Sequence, residues 1–247
     1  MRESPPRGEV APTAGSEGEC PSCGGPLHRW VKAHPADARS DQETLLDRCE
    51  SCGLAVARPS RVHPASGGDA RGAAERELER LIEQAANGAR GELRVPNRRS
   101  LQAAIGEGSW AALELPDRPL ILTPQALESL LERSGGELER VRYPALGRNQ
   151  RWMWQTLMNA LTFHPNFARE AIAGRLRPRR GRDRLTFAID LVVSVLAAPL
   201  VALVSLPLET GAALLRRGGE MRATVRAERI GQASSSASSA SSPAASS

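Results

Sequence analysis

Hydrophobic positions in this chain fall into short segments punctuated by Gly, Pro and Arg, and one long apolar run breaks that rhythm. In 73–86, Leu78, Leu81, Ile82 and Ala85 recur at i, i+3, i+4 and i+7, which predicts a helix closed by Asn87-Gly88. Residues 92–97 predict a short strand stopped by Pro96. A second helix starts at Thr123-Pro124, with Thr123 as N-cap and Pro124 in the first turn. Its Leu127, Leu130 and Leu131 face inward, and Gly135 or Gly136 stops it. Residues 137–143 alternate imperfectly as a strand. A third helix is expected over about 150–161, with Trp154, Leu157, Met158 and Leu161 on one face. Gly106-Glu107-Gly108 reads as a loop.

The long run covers 191–208 and carries no charge over 18 residues. As a helix it reaches about 27 Å, near the thickness of a bilayer core. Asp190 and Glu209 bracket it, and Pro199 and Pro207 would kink it. Six arginines occupy 175–184 and five more lie in 211–229. Three readings are open: a buried helical hairpin in a soluble core, an interfacial or re-entrant membrane element with arginines on anionic headgroups, and a single span. Just upstream, Trp152, Trp154, Phe163, His164 and Phe167 form either an amphipathic helix with an aromatic turn or a surface for a lipid or partner protein. His164 has no carboxylate or nucleophile beside it in sequence.

Composition narrows this picture. Of 247 residues 40% are apolar but only 3% aromatic, so the core must rest on Leu, Val, Ala and Ile. Net charge is +5, carried almost wholly by arginine; Lys32 is the one lysine. That balance permits contact with nucleic acid or anionic lipid but demands neither, because acids are interleaved. Residues 1–19 show no secretory pattern, so the cysteines are expected in a reducing cytosol.

All four cysteines fall in two matched motifs, Cys20-Pro-Ser-Cys23-Gly24 and Cys49-Glu-Ser-Cys52-Gly53. Each Cys-x-x-Cys turn offers two thiolates from one knuckle, and the following glycine eases the tight backbone. Two knuckles separated by 25 residues give a zinc-ribbon signature with a closed four-thiolate shell, hence a structural Zn(II). His28 and His34 read as surface residues. Acids Glu19, Asp37, Asp41, Glu43, Asp47 and Glu50 offset the ribbon's arginines, so nucleic acid is an unfavoured partner.

Further along, Val95-Pro96-Asn97, Trp110, Pro116, Thr123-Pro124, Leu127, Leu130, Leu131 and Gly135-Gly136 occur in a set order, and Gly218-Gly219 precedes a last strand. In that order they resemble the C-terminal part of zinc-ribbon class I S-adenosylmethionine-dependent methyltransferases. With the ribbon, the resemblance covers about two thirds of the chain. It implies a remnant site rim at Asn97, Trp110 and Arg118. It also implies that the cofactor-binding half is missing, because only 42 residues separate Cys52 from the Val-Pro-Asn strand. Arg118 and Ile121 stand where the family carries two histidines, and neither can act as a general base near neutral pH.

The expectation is therefore an α+β protein: 1–17 disordered, 18–58 zinc ribbon, 59–72 linker, 73–229 truncated methyltransferase-like α/β domain with an apolar helical segment at 187–215, and 230–247 a disordered Ser/Ala tail. Its expected role is a binding or scaffolding subunit without catalytic residues. S-adenosylmethionine binding by the single chain is not expected. The alternatives are a methyltransferase active only with a partner chain supplying the cofactor site, and a protein of an anionic membrane surface, cytoplasmic or peripheral on the inner face of the membrane.

Overall fold

The computed structural model describes residues 18–34, 44–58, 91–113, 115, 119–133, 136–175 and 183–227. The helix expected over 73–86, the linker, most of both tails and Arg118 lie outside the described residues.

An antiparallel sheet forms around the cysteine motifs, in the order β1 (Leu27–Ala33), β2 (Thr44–Cys49), β3 (Ala55–Ala57) and β5 (Leu120–Ile121). The first three strands belong to the ribbon. The fourth comes from beyond it, with Ala55 opposite Ile121 and Val56 opposite Leu120. Ribbon and following domain therefore share one sheet. A second sheet has the order β4 (Gly91–Pro96), β7 (Glu220–Ala227), β6 (Gly136–Arg142). Both outer strands run antiparallel to β7 and so parallel to each other. Along β7, Met221, Ala223 and Val225 are buried, the period-2 pattern of a half-covered sheet. The two sheets meet where Asn97 bridges Leu122. Mixed helix and antiparallel sheet make the fold α+β.

Helix α1 (Leu101–Gly106) occupies a stretch that periodicity left unassigned. Ser100 caps it, its hydroxyl accepting from the Ala103 amide at 3.0 Å. The expected loop at Gly106-Glu107-Gly108 is instead the end of α1 and a 3-10 turn, Glu107–Ser109. Gly108 lies so close to the Lys32 carbonyl that any Cβ would collide with it. Helix α2 (Pro124–Arg133) begins as expected at Thr123 and buries Leu127, Leu130 and Leu131. Helix α3 (Arg148–Leu161) buries Met153 and Met158, with Trp154 and Leu157 half-covered. Leu161, expected inside, is 51% exposed because it is the last residue and the chain turns away at Thr162. A short helix α4 (Phe167–Ile172) follows.

Helix α5 (Asp183–Leu214) is one continuous helix containing Pro199 and Pro207. The buried-hairpin reading is thus replaced: nothing turns within 191–208, and only 17% of the most apolar 18-residue stretch is buried. Among the described residues it is the one helix long and apolar enough to cross a membrane. Its inward stripe is Asp190, Ser194, Val201, Ser205, Glu209 and Ala212, spaced as one helix face. Two buried carboxylates fix its ends. Asp190 accepts from the amides of Phe163 and His164 at 2.8 and 3.0 Å and pairs with His164 Nδ1 at 2.7 Å. Glu209 accepts from the Gly219 amide at 2.8 Å and from Gln102 Nε2 at 2.7 Å. Gln102 in turn accepts from the Trp110 indole at 3.2 Å. Midway, the Trp154 indole donates to the Ala198 carbonyl at 3.2 Å; ahead of Asp190, Phe187 meets Phe167 edge-on at 5.2 Å.

Burial raises the pKa of Glu209, opposed by the hydrogen bonds from Gly219 and Gln102. The folded state thus binds this proton more tightly than the unfolded chain. Its contribution to stability is full below the unfolded pKa of about 4.3 and is lost as pH rises through the raised folded pKa. Glu209→Gln cannot ionise. Urea unfolding at a series of pH values should show wild type losing stability relative to Glu209→Gln as pH rises through this window. A pH-independent difference between the two would remove this account.

Candidate metal centre

Two near-identical knuckles build the centre. In the first, the Gly24 amide donates to the Cys20 carbonyl at 2.8 Å and the Cys20 amide to Gly25 at 2.7 Å. In the second, Gly53 donates to Cys49 at 3.0 Å and Cys49 to Leu54 at 2.8 Å. Gly24 and Gly53 both take φ +74°, a conformation that a side chain would strain. The glycines anticipated from sequence thus occupy the left-handed positions the turns require.

The β1–β2 register sets Leu27 opposite Cys49 and draws the knuckles together. The four sulfurs all lie within 4.8 Å of one another. Cys20 and Cys52 are 3.5 Å apart, as are Cys23 and Cys49. A tetrahedral Zn(II) with Zn–S near 2.3 Å needs sulfur separations of about 3.8 Å, so the donor set fits such an ion. Burial pushes the thiols of Cys20 and Cys52 up. Burial acts on Cys49 too, but the amides of Cys52 and Ser51 and the Cys23 thiol outweigh it and draw Cys49 down to about 7. Four such groups cannot all ionise in one buried spot without a cation to hold them. Thiolates of this kind would hold a metal with no position left for substrate, the arrangement of a structural site. His28 is exposed and His34 half-buried, and neither joins the cluster.

The centre is welded to the following domain. Thr123 donates from its hydroxyl to the Cys52 carbonyl at 2.6 Å and accepts from the Ala126 amide at 3.0 Å. Ser22 donates to the Ala126 carbonyl at 3.0 Å. Arg133 reaches back from the end of α2 to the carbonyls of Pro21 and Ser22. Cys20, Cys49 and Cys52 belong to the same apolar cluster as Leu93, Leu127 and Leu130.

The structure places Asn97 and Trp110 in the interior. Asn97 donates to the Gly218 carbonyl at 3.0 Å and accepts from the Arg99 amide at 3.0 Å. Trp110 packs in a second cluster with Leu113, Leu115 and Ile121, its indole on Gln102. Ile121 is a buried strand residue beside Ala55. These side chains are framework, while Arg118 is outside the described residues. One pairing escaped sequence reading: the Asp190 partner of His164 lies 26 residues away, and no local pattern signals it. No family model, no curated protein and no solved structure matches the chain.

Three outcomes follow from this geometry. The purified chain should carry about one equivalent of metal by elemental analysis, and any single Cys→Ser substitution should abolish it. Structural zinc contributes roughly 10–16 kcal/mol, as much as the whole stability of an ordinary domain. Chelation should therefore melt α2 and its sheet contacts along with the ribbon, seen as loss of far-ultraviolet dichroism. Thr123→Ala removes a cap worth about 1 kcal/mol and strands a buried carbonyl at roughly 1–3 kcal/mol. Urea unfolding should register a loss of about 2–4 kcal/mol, mostly restored by Thr123→Ser.

Proposed function

We propose that this chain is a zinc-stapled binding or scaffolding subunit held on the surface of a membrane, carrying out no methyl transfer by itself. The observation that carries the reading is α5. Its two end carboxylates, Asp190 and Glu209, are both seated in the same folded unit, about 28 Å apart along the helix. A crossing helix puts its ends on opposite sides of a bilayer core of about 30 Å. Here both ends stay with one domain, so α5 lies along it and presents its other face outward.

That outward face is apolar. Leu196, Leu200 and Leu203 are 72%, 63% and 74% exposed, and Val192 and Val195 continue the stripe. Each large side chain moved out of water contributes roughly 1.5–3 kcal/mol, so these five outweigh the cost of confining the protein to a surface. Arginine-rich segments at both ends fit a single layer of anionic headgroups. The reading places the protein at the cytoplasmic face, in keeping with its four free cysteines.

Its methyltransferase-like character rests on the ordered motifs from Val95 to Gly136 and on the strand after Gly218-Gly219. Under this reading S-adenosylmethionine does not bind the lone chain. Methyl transfer that emerges only on mixing with a second chain would make this protein the partner half of such an enzyme.

Flotation with lipid vesicles tests the proposal. Wild type should rise with vesicles, and Leu196→Asp combined with Leu203→Asp should stay at the bottom with unchanged thermal stability. A wild type that remains free and monomeric beside vesicles would sink the membrane role. Isothermal titration with S-adenosylmethionine tests the other half: micromolar binding to the single chain would overturn it.

A further inference from the structure

At the C-terminal end of α5 the chain builds a cavity of about 610 Å³ lined by Arg98, Arg99, Tyr143, Leu215, Arg216 and Arg217, with Pro124 at its edge. Its four lining arginines come from two separate turns. Arg98 and Arg99 sit between β4 and α1, and Arg216 and Arg217 follow α5. No carboxylate among the described residues pairs with any of the four, although acids elsewhere in the structure pair readily with Arg148, Arg175 and Arg222.

Two details mark this as a built arrangement. The first is conformational. Arg216 sits at φ +58°, and the amides of Arg216 and Arg217 donate to the carbonyls of Ala213 and Ala212 at 3.0 and 2.7 Å. This is a Schellman ending whose left-handed position ordinarily takes glycine. Two glycines follow at once, so a shift of two residues would have supplied one. The strain of an arginine there is kept. The second is polar. Arg98 is half-buried, lies over the Trp30 ring at 4.0 Å, and its Nε is buried with no hydrogen-bond partner. Burial, with the nearby Arg48 charge, holds its pKa down to about 10, so it stays charged at neutral pH with no carboxylate partner among the described residues. Arginine is also favoured at helix C-termini by the macrodipole, which accounts for Arg216 and Arg217 alone. Arg98 and Arg99 arrive from elsewhere.

Asn97 holds the two turns in place. Its side chain spans from the Arg99 amide to the Gly218 carbonyl, while its own amide donates to Gly219 at 2.8 Å. The Leu101 amide donates to the Arg217 carbonyl at 2.9 Å. Gly218 lets Tyr143 approach closely: a Cβ there would stand 3.1 Å from the tyrosine Cβ.

We propose that this cavity binds a phosphate group, and that in the working protein the phosphate belongs to an anionic lipid headgroup. Planar guanidinium forks match phosphate oxygens in pairs, and Tyr143 adds a phenol donor. The lipid source is favoured by position. Leu214 and Leu215, 81% and 74% exposed, continue the outward face of α5 to the cavity mouth. With α5 at the acyl boundary, the arginines stand at headgroup depth. The choice of lipid rests on the membrane reading above; the phosphate site does not.

The test uses the full-length chain with vesicles of phosphatidylcholine alone, vesicles with added phosphatidylglycerol, and inorganic phosphate. The Trp30 fluorescence beneath Arg98 is the reporter for the soluble anion. Arg99→Gln with Arg217→Gln removes two exposed guanidiniums that have no carboxylate partner among the described residues. Wild type should prefer the anionic vesicles, and the double variant should lose about 30-fold of that preference, roughly fivefold per arginine. Its binding to neutral vesicles should not change. Arg216→Gly should lower anionic binding while raising the thermal midpoint, since glycine relieves the left-handed strain. A preference that survives the double variant overturns the cavity and leaves the membrane role standing. Should wild type bind neither vesicle, the membrane role fails, and phosphate decides: a saturable Trp30 change lost in the double variant upholds the site, and no change overturns it.

Discussion

Four cysteine sulfurs within 4.8 Å of one another, three of them in buried residues, set the terms for everything around them. As thiolates they repel, and as thiols they would leave polarisable, reactive groups crowded in the core. A divalent cation would reconcile them and would cross-link residues 20–23 to 49–52. The consequence spreads because the knuckles are also core residues. The carbonyl of Cys52, the last thiol residue of the second one, is the acceptor for Thr123, and Thr123 is the cap that starts α2. Metal-binding turn and helix are thus a single mechanical unit, and α2 packs with Leu93, Met221 and Val225 of the β4–β7–β6 sheet through Leu127, Leu130 and Leu131.

A second kind of constraint holds α5. Burying a carboxylate is unfavourable unless its oxygens are satisfied. Asp190 meets that condition with two backbone amides and an imidazole, Glu209 with an amide and a side-chain amide. These bonds are directional, whereas the Ala197, Ala198 and Val201 contacts between them are not. The carboxylates fix which face of a nearly uniformly apolar helix turns inward. Hydrophobicity alone could not choose, because leucine and valine lie all around it.

What the sequence made legible was local. Cys-x-x-Cys-Gly fixes a knuckle within five residues, Thr-Pro announces the start of α2, and Leu93 and Val95 alternate within β4. Helix α1 was missed since its six residues hold only one full turn and a half of pattern, although Ser100 was available as a cap signal. The partners that matter for α5 lie much further apart: Gln102 and Glu209 are 107 residues distant, His164 and Asp190 are 26. No periodicity encodes such pairs. Arginines 98 and 216 likewise become neighbours only when β7 inserts between β4 and β6, an ordering that strand propensities leave open. Asn97 was legible as a special position, but its reason is tertiary, a brace between two turns.

Under the membrane-surface role proposed above, the prolines of α5 argue for the depth at which it would sit. Pro199 and Pro207 lack amide hydrogens, so the carbonyls of Val195 and Leu203 lose their helical donors. Both residues lie on the exposed side. In the middle of a bilayer those carbonyls would face hydrocarbon with no donor in reach, at several kcal/mol each. In bulk water they are satisfied, but the leucines beside them are not. At the acyl–headgroup boundary, water and headgroups can reach the carbonyls while the leucines enter the acyl layer. The same boundary suits a helix whose buried side carries Ser194, Ser205 and two carboxylates and whose ends are flanked by arginine. Under the proposed role, features that read as defects in a spanning helix, two prolines and a polar buried stripe, become compatible with each other in the plane of the surface.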